Sequence, residues 1–249
     1  MMKTRFCSVF LTLLLLGTSA SWASEGQNHW GYKGETGPEH WAKLSHAFAN
    51  CALGKNQSPI DITDTIEAEM PPLAFFYKTA ARDIVNTGHS IQLDFPKNAG
   101  IVVDNQTFEL KQVHFHSPSE NTIDGRHFPM EAHFVHADER GNLAVVALLF
   151  EIGGTNPVLG KLWRFIPTHR GEAFGIADKL PPSRLLPKDK DYYRFNGSLT
   201  TPPCTEGVYW FVLKQPVTAS REQIERFSRV MRHPNNRPIQ PTNARPLLR

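Results

Sequence analysis

Short runs in which apolar and polar residues alternate dominate this chain and constrain its fold more than any other feature. A period of two residues is typical of strands that bury one face. The pair Asp124-Gly125 and the stretch 138–142 separate neighbouring runs and are typical of hairpin turns. The predicted strands cover residues 90–95, 101–103, 107–115, 130–135, 143–152 and 208–213.

Helical patterns are few. The clearest covers 220–232, where Ser220 and Gln223 match a capping box and Ile224, Phe227 and Met231 share one face. Shorter candidates cover 38–47 and 156–165. Strands outnumber helices and do not alternate with them, which argues against a βαβ fold. We therefore predict a mainly β (α+β) fold, a single domain around a large, mostly antiparallel twisted β-sheet with a few short peripheral helices.

The first 23 residues are typical of a secretory signal peptide. Lys3 and Arg5 precede an apolar run at 9–16 that is too short to span a bilayer, and Ser21-Trp22-Ala23 fits a cleavage site. We predict cleavage after Ala23, one mature domain over 24–249, and export to the periplasm, or secretion from a cell that is not Gram-negative. An uncleaved membrane anchor is the alternative, although no later segment has transmembrane length.

Two cysteines remain after the predicted cleavage, Cys51 and Cys204. An even pair in an oxidising compartment predicts a disulfide bond between them. The alternative is a pair of buried free thiols.

A histidine pattern at 111–116 predicts a metal site. This segment reads K-Q-V-H-F-H, and residues two apart in a strand share a face, so Gln112, His114 and His116 point the same way. By the same parity, Glu131, His133 and Val135 share a face of the strand at 130–135. Sixteen residues separate His116 from His133, which is enough for a hairpin-type return that brings His133 beside the pair.

Three imidazoles with a fourth position left open are typical of a catalytic zinc site rather than a structural one. Gln112 and Glu131 lie on the ligand face, where each can accept the spare ring N–H of a ligating histidine and fix its tautomer. The alternative reading is a group of solvated or core histidines with no metal.

Motifs spread over nearly the whole predicted mature chain resemble those of the α-class carbonic anhydrases, from His29 to Pro241 and most closely the exported bacterial members. The matching motifs are His29-Trp30-Gly31-Tyr32, Gly37-Pro38-Glu39-His40-Trp41, Gln57-Ser58-Pro59-Ile60-Asp61-Ile62, Asn86-Thr87-Gly88-His89, the run 112–120, Glu131-Ala132-His133, Tyr193-Arg194-Phe195, the run 197–203 and Asn236-Arg237-Pro238.

The resemblance implies one Zn²⁺ per chain, bound by His114, His116 and His133. Gln112 and Glu131 would accept from His114 and His133, and the Asn235 carbonyl from His116. Thr200 would accept from a zinc-bound hydroxide and donate to Glu120.

The same resemblance implies an apolar CO₂ pocket and a proton path. Thr201 would help order solvent at the mouth of the pocket, and His89 would be the proton shuttle. The pocket wall would be formed by Val135, Val145, Leu199, Val208 and Trp210. The residues that order water around His89 would be Tyr32, Asn86 and Gln92, of which Gln92 departs from the commonest family residue, as does Thr87.

The implied function is zinc-dependent, reversible hydration of CO₂ to bicarbonate and a proton by hydroxide attack. A zinc ester hydrolase and a catalytically silent binding protein with the same fold are the alternatives. The implied partner is the small-molecule substrate, and the chain would be a monomer or a homodimer without a membrane anchor after cleavage. A net charge of +3 from scattered Lys and Arg leaves no basic patch for nucleic acid.

Overall fold

The computed structural model describes residues 29–249, so the predicted signal peptide at 1–23 lies outside the described residues. Within the described range, no helix is both long enough and apolar enough to cross a membrane.

One sheet of 11 strands organises the described chain. Its central path runs β11-β3-β4-β6-β9-β10-β13-β12, with β5 also paired to β6, β2 to β5 and β14 to β10, while β1, β7 and β8 form a separate three-stranded sheet. The strands are β1 (Asp61–Ile62), β2 (Ala74–Phe75), β3 (Asp83–Asn86), β4 (Ile91–Asp94), β5 (Gly100–Val103), β6 (Gln106–His116), β7 (Thr122–Ile123), β8 (Arg126–His127), β9 (Met130–Ala137), β10 (Leu143–Ile152), β11 (Ala173–Gly175), β12 (Tyr192–Ser198), β13 (Glu206–Leu213) and β14 (Val217–Ala219).

Most strand pairs are antiparallel, as predicted, and every predicted strand is present. The pairs β10–β13 and β10–β14 are parallel, which the sequence pattern did not reveal. β12 was not predicted either, because Arg194, Asn196 and Gly197 interrupt any alternating apolar pattern in this segment. Its long antiparallel pairing with β13 makes it a strand.

The two faces of the sheet bury different clusters. One face of β6 carries Val113 and Phe115 into the main core, together with Phe134 of β9 and Val146 of β10. The opposite face carries His114 and His116 of β6 and His133 of β9, beside a smaller apolar cluster that includes Trp210. The alternation of side chains along each strand therefore places these three histidines on the face opposite the main core, as expected for a pleated sheet.

Between residues 29 and 249, four short α-helices lie outside the sheet: α1 (Trp41–Leu44), α2 (Asn50–Leu53), α3 (Pro157–Leu162) and α4 (Arg221–Met231). The capping box at the start of α4 is present, and α3 begins after Asn156, inside its predicted range. The helix predicted at 38–47 is shorter than expected. Ser45 adopts an extended conformation, which ends α1 and caps a separate 3₁₀ turn at His46–Phe48.

Both predicted hairpin turns are present. Asp124 and Gly125 join β7 to β8 with positive φ angles of 48° and 74°, as a two-residue turn with left-handed residues requires. The side chain of Asp138 accepts hydrogen bonds from the backbone amides of Arg140 and Asn142 between β9 and β10.

The predicted disulfide between Cys51 and Cys204 is also present, across a sequence separation of 153 residues. It packs against the buried Trp41 and joins α2 to the segment that follows Thr200.

Candidate metal centre

Strand register brings three histidines together. His114 of β6 lies directly opposite His133 of β9, and His116 lies one step along the same face. The ring centroids are 4.9 Å apart for His114 and His116, 5.2 Å for His114 and His133, and 4.6 Å for His116 and His133. Each ring offers a nitrogen atom within 4.8 Å of those of the other two, a separation that a single metal ion can bridge.

The other nitrogen atom of each ring donates a hydrogen bond. His114 Nδ1 donates to Gln112 Oε1 at 2.8 Å, and His133 Nε2 donates to Glu131 Oε1 at 2.9 Å. His116 Nδ1 donates to the carbonyl oxygen of Asn235 at 2.6 Å. These acceptors fix the tautomers and leave Nε2, Nε2 and Nδ1 of His114, His116 and His133 free for a metal.

Glu131 is held by several donors besides His133. Its Oε2 accepts from the backbone amides of Glu120 and Asn121 at 2.7 and 2.9 Å, and its Oε1 accepts from Asn121 Nδ2 at 2.7 Å. Burial raises the pKa of Glu131, and the bonds from Asn121 and Glu120 oppose that rise. An acceptor-only carboxylate satisfies all these donors, whereas an amide would turn a donor toward one of them.

Burial keeps the three imidazoles neutral. It lowers the pKa of His114 and His133 well below 6.5 and also lowers that of His116, and the neighbouring rings of the cluster add to the shift at His114 and His133. Metal ligation requires neutral imidazole, so the site is prepared for a cation at neutral pH.

Two buried atoms support the assignment of a metal site. His116 Nε2 and Glu120 Oε2 have no hydrogen-bond partner in the described part of the chain. Buried polar atoms are normally paired, and a cation would satisfy the unpartnered imidazole nitrogen. Three neutral imidazoles with no thiolate suit Zn²⁺ and leave a coordination position for solvent or substrate.

Glu120 lies against these ligands. Its Oε2 is 3.5 Å from His116 Nε2 and 3.9 Å from His133 Nδ1, and its Oε1 accepts from the backbone amide of Arg237 at 2.8 Å. Burial raises the pKa of Glu120 to about 8, and the nearby Thr200 side chain and the Arg237 amide oppose the rise. A cation nearby would favour the ionised carboxylate.

Sequence reasoning did not single out Arg237, which is fully buried. Its guanidinium donates to Gln57 Oε1 and to the carbonyl oxygens of Ser58 and Cys51, at 2.8 to 2.9 Å. Burial lowers its pKa to about 10, so it stays charged at neutral pH. The Asn236-Arg237-Pro238 motif contained this residue, but only the fold brings it to Glu120.

An apolar surface lies beside the three histidines, on the same face of the sheet. Register aligns Gln112, Val135, Val145 and Trp210 across four adjacent strands, and the His133 ring contacts Trp210 edge-on at 5.0 Å. Val145, Val208 and Trp210 are buried, while Val135 and Leu199 are partly buried beside them. The five predicted wall residues therefore form one cluster.

Thr200 and Thr201 follow Leu199 in the chain, and the Thr201 carbonyl accepts a hydrogen bond from the backbone amide of Cys204 at 2.9 Å.

His89 lies in the loop between β3 and β4. Its ring stacks on Trp30, with centroids 3.7 Å apart and planes 10° from parallel. Asn235 Nδ2 donates to the His89 carbonyl at 3.0 Å, so the residue that serves His116 also holds this loop. Burial lowers the pKa of His89 to about 4, and the positive charges of Arg170, His29 and His233 add to the shift.

The three residues predicted to order water occupy different surroundings. Burial, followed by the charge of Glu120, raises the pKa of Tyr32 well above 10. Gln92 pairs with His114 in register and donates to Asp94. The amide of Asn86 donates to the Pro167 carbonyl and accepts from the Gly88 amide, so it supports the loop. Their effect on solvent stays a prediction.

Comparisons with known proteins agree on one family. The sequence model of the eukaryotic-type carbonic anhydrase family matches residues 36–249. The carbonic anhydrase of Pectobacterium atrosepticum is 46% identical over 239 residues, covering 96% of this chain and 98% of that protein. The carbonic anhydrase of Neisseria gonorrhoeae is 48% identical, covering 95% and 94%. The solved structure of the α-carbonic anhydrase of Thermovibrio ammonificans, a complex with sulfanilamide, aligns with a TM-score of 0.88 and 49% identity over 89% of this chain and 99% of that one.

Proposed function

The chain belongs to the eukaryotic-type, or α, family of carbonic anhydrases, and we propose that it hydrates CO₂ reversibly on a Zn²⁺ ion held by His114, His116 and His133. The observation that carries the proposal is the convergence of three buried, neutral imidazoles whose other ring nitrogens are all bonded to acceptors. When bound, zinc in such a site lowers the pKa of a water molecule to about 7, which provides a nucleophile at neutral pH.

Glu120 and Thr200 orient the nucleophile in this proposal. A carboxylate at Glu120 obliges the Thr200 hydroxyl to donate toward it, so that the hydroxyl oxygen acts as the acceptor toward the nucleophile. The Arg237 amide holds the Glu120 carboxyl in place at 2.8 Å. Glu120 and Thr200 would therefore orient the nucleophile with a lone pair toward the carbon atom of CO₂.

The cluster around Val145 and Trp210 binds the substrate. CO₂ has no net dipole, so an apolar surface next to the metal binds it without competing for the hydrogen bonds of water. Bicarbonate, which is charged, is disfavoured against the same surface and leaves.

His89 accepts the proton that each hydration releases. We expect His89→Ala to lower kcat, which includes proton transfer to solvent, and to leave kcat/KM for CO₂ close to that of the parent. Added imidazole should restore kcat in this variant. A fall in kcat/KM as large as that in kcat would contradict the shuttle role.

The proposal is tested by stopped-flow CO₂ hydration together with zinc analysis. The parent should contain one zinc per chain and turn over rapidly, while His133→Ala and a chelator-treated sample should lose both zinc and activity. His46→Ala, a matched histidine substitution at an exposed position, should keep both.

Two alternatives correspond to different outcomes of this experiment. Ester hydrolysis without CO₂ hydration would identify a zinc esterase. One bound zinc per chain with neither activity would identify a silent binding protein and would refute the proposed function.

We further propose that the mature chain 24–249 functions in the periplasm. The disulfide between Cys51 and Cys204 supports this location, since such bonds persist in oxidising compartments. N-terminal sequencing of the exported protein should begin after Ala23. Whether that protein is a monomer or a homodimer is measured by light scattering during size-exclusion chromatography.

A further inference from the structure

A basic cleft adjoins the loop that carries His89. It has a volume of about 290 Å³, and its lining includes Asn86, Gly88, His169, Arg170, Arg232 and His233. None of the groups that the mechanism above uses for metal binding or CO₂ binding lines this cleft. Gly88, the residue before His89, forms part of its wall.

The exposed side chain of Arg170 lies over the shuttle loop. Its stem covers Gly88 so closely that a Cβ atom on Gly88 would come within 2.7 Å of Arg170 Cδ. Its Nη1 lies 3.4 Å from Nδ1 of His29, whose ring centroid is 6.4 Å from that of His89. The guanidinium therefore lies close to the residues that surround His89.

The positive charges of the cleft lack acidic partners. Neither Arg170 nor Arg232 takes part in any of the ion pairs found between residues 29 and 249. The acid nearest in sequence is Glu172, and its Oε2 accepts from the backbone amides of Thr168 and His169 at 2.8 and 3.1 Å. Two guanidinium groups in one cleft without a carboxylate partner are typical of a site for an oxyanion.

We propose that this cleft binds a buffer oxyanion of the phosphate class, which accepts the proton from His89. The inference rests on the proposed function. In the step, the N–H bond of the His89 imidazolium breaks and an O–H bond forms on the dianion, so that hydrogen phosphate becomes dihydrogen phosphate and the imidazole returns to its neutral form.

The electrostatics explain why an anion suits this position. Besides burial, electrostatic repulsion from Arg170, followed by His29 and His233, lowers the pKa of His89, because a positive charge near the ring opposes its protonation. A bound dianion opposes that field and raises the pKa of His89, so the ring takes up a proton more readily before it passes the proton to the anion. A neutral acceptor does not reduce this positive field, so the site distinguishes proton acceptors by their charge.

The kinetic test compares two proton acceptors, inorganic phosphate and 1,2-dimethylimidazole, at saturating CO₂ and constant ionic strength. In Arg170→Ala and Arg232→Ala, the phosphate concentration for half-maximal kcat should rise about five- to tenfold, the value of one ordinary hydrogen bond, because both side chains are exposed to solvent. With dimethylimidazole, kcat should stay the same or increase, because a positive charge near His89 has been removed.

Two control variants separate charge from structure. Arg170→Lys should keep most of the phosphate dependence, and Arg226→Ala, an exposed substitution on α4 outside the cleft, should match the parent. An equal loss with both acceptors would show that Arg170 only supports the loop. An unchanged phosphate dependence in Arg170→Ala and Arg232→Ala would exclude the site. Either result overturns the proposal.

A binding measurement distinguishes failure of this inference from failure of the proposed function. The pKa of His89, followed by NMR of its ring protons in the zinc-loaded protein, should rise on addition of phosphate in the parent and not in the Arg170→Ala/Arg232→Ala double variant. If the parent bound phosphate in this way without hydrating CO₂, the proposed function would fail and the anion site would stand. No phosphate-dependent shift in the parent would refute the anion site alone.

Discussion

Acidification should destabilise this protein through His136, a histidine that faces the main core and not the metal centre. Its side chain is fully buried on β9, where Nδ1 donates to the Ala144 carbonyl at 3.2 Å and Nε2 accepts from the Tyr77 hydroxyl at 2.9 Å. The bond from Tyr77 requires the neutral ring, because a protonated Nε2 has no lone pair to accept it. Burial lowers the pKa of His136 from 6.5 to about 3.

The size of the effect follows from linkage. Between pH 6.5 and 3 the unfolded chain binds a proton at this position that the folded chain excludes, so stability falls as the pH falls through this window. From pH 7.5 to pH 5 the free energy of unfolding should fall by about 2 kcal/mol on account of His136 alone. Because pH 5 lies well above the folded-state pKa, this value depends almost entirely on the unfolded-state pKa.

The assay is urea unfolding of the chelator-treated protein with its disulfide intact, at pH 7.5 and pH 5. Removal of metal excludes the competition between protons and zinc, and the other buried histidines contribute equally to parent and variant. His136→Gln keeps a donor and an acceptor but does not titrate. Its loss of stability over this pH range should be smaller than that of the parent by about 2 kcal/mol.

Tyr77→Phe is the matched control. It removes one hydrogen bond and lowers stability at both pH values, but His136 stays buried and the pH dependence should remain that of the parent. If His136→Gln and the parent lost the same stability between the two pH values, His136 would not exclude a proton in the folded state and the reasoning would be refuted.

Three further predictions concern the site and its support. Glu131→Gln should weaken zinc binding by about 10- to 100-fold, because the NH₂ group of the new amide would face Asn121 and His133, which donate to the carboxylate in the parent. Competition with a chromogenic chelator measures the change. Val145→Tyr should lower kcat/KM for CO₂ by about a hundredfold while zinc content stays at one per chain, because the ring fills the apolar surface beside His133; an unchanged rate would place CO₂ elsewhere. Reduction of the bond between Cys51 and Cys204 should lower the free energy of unfolding by at most about 5 kcal/mol, the loop-entropy value for this separation, measured by urea unfolding with and without reductant.

Local patterns were sufficient for much of the fold. The alternation in β6 and β9 predicted which side chains share a face, because the side-chain period of a strand is two whatever its partners are. The capping box of α4 and the turn at Asp124-Gly125 were also readable, since each depends on residues at most three positions apart. The same local parity placed Gln112 and Glu131 beside the histidines.

Other features depend on contacts between distant parts of the chain, and no local pattern encodes them. The parallel pairing of β10 with β13 brings Trp210 beside Val145, although 64 residues separate them in the sequence. The Asn235 carbonyl reaches His116 and the Arg237 amide reaches Glu120 only because the segment after α4 returns to the sheet.

The eleven histidines illustrate this division. The sequence by itself selected His114, His116 and His133, because parity and one hairpin-length connection suffice to make three side chains converge. Only the tertiary structure decided that His136 is a neutral core residue bonded to Tyr77, and that His89 stacks on Trp30 among the charges of Arg170, His29 and His233. The pKa of a histidine depends on burial and on charges brought in by other segments, and those are properties of the folded chain.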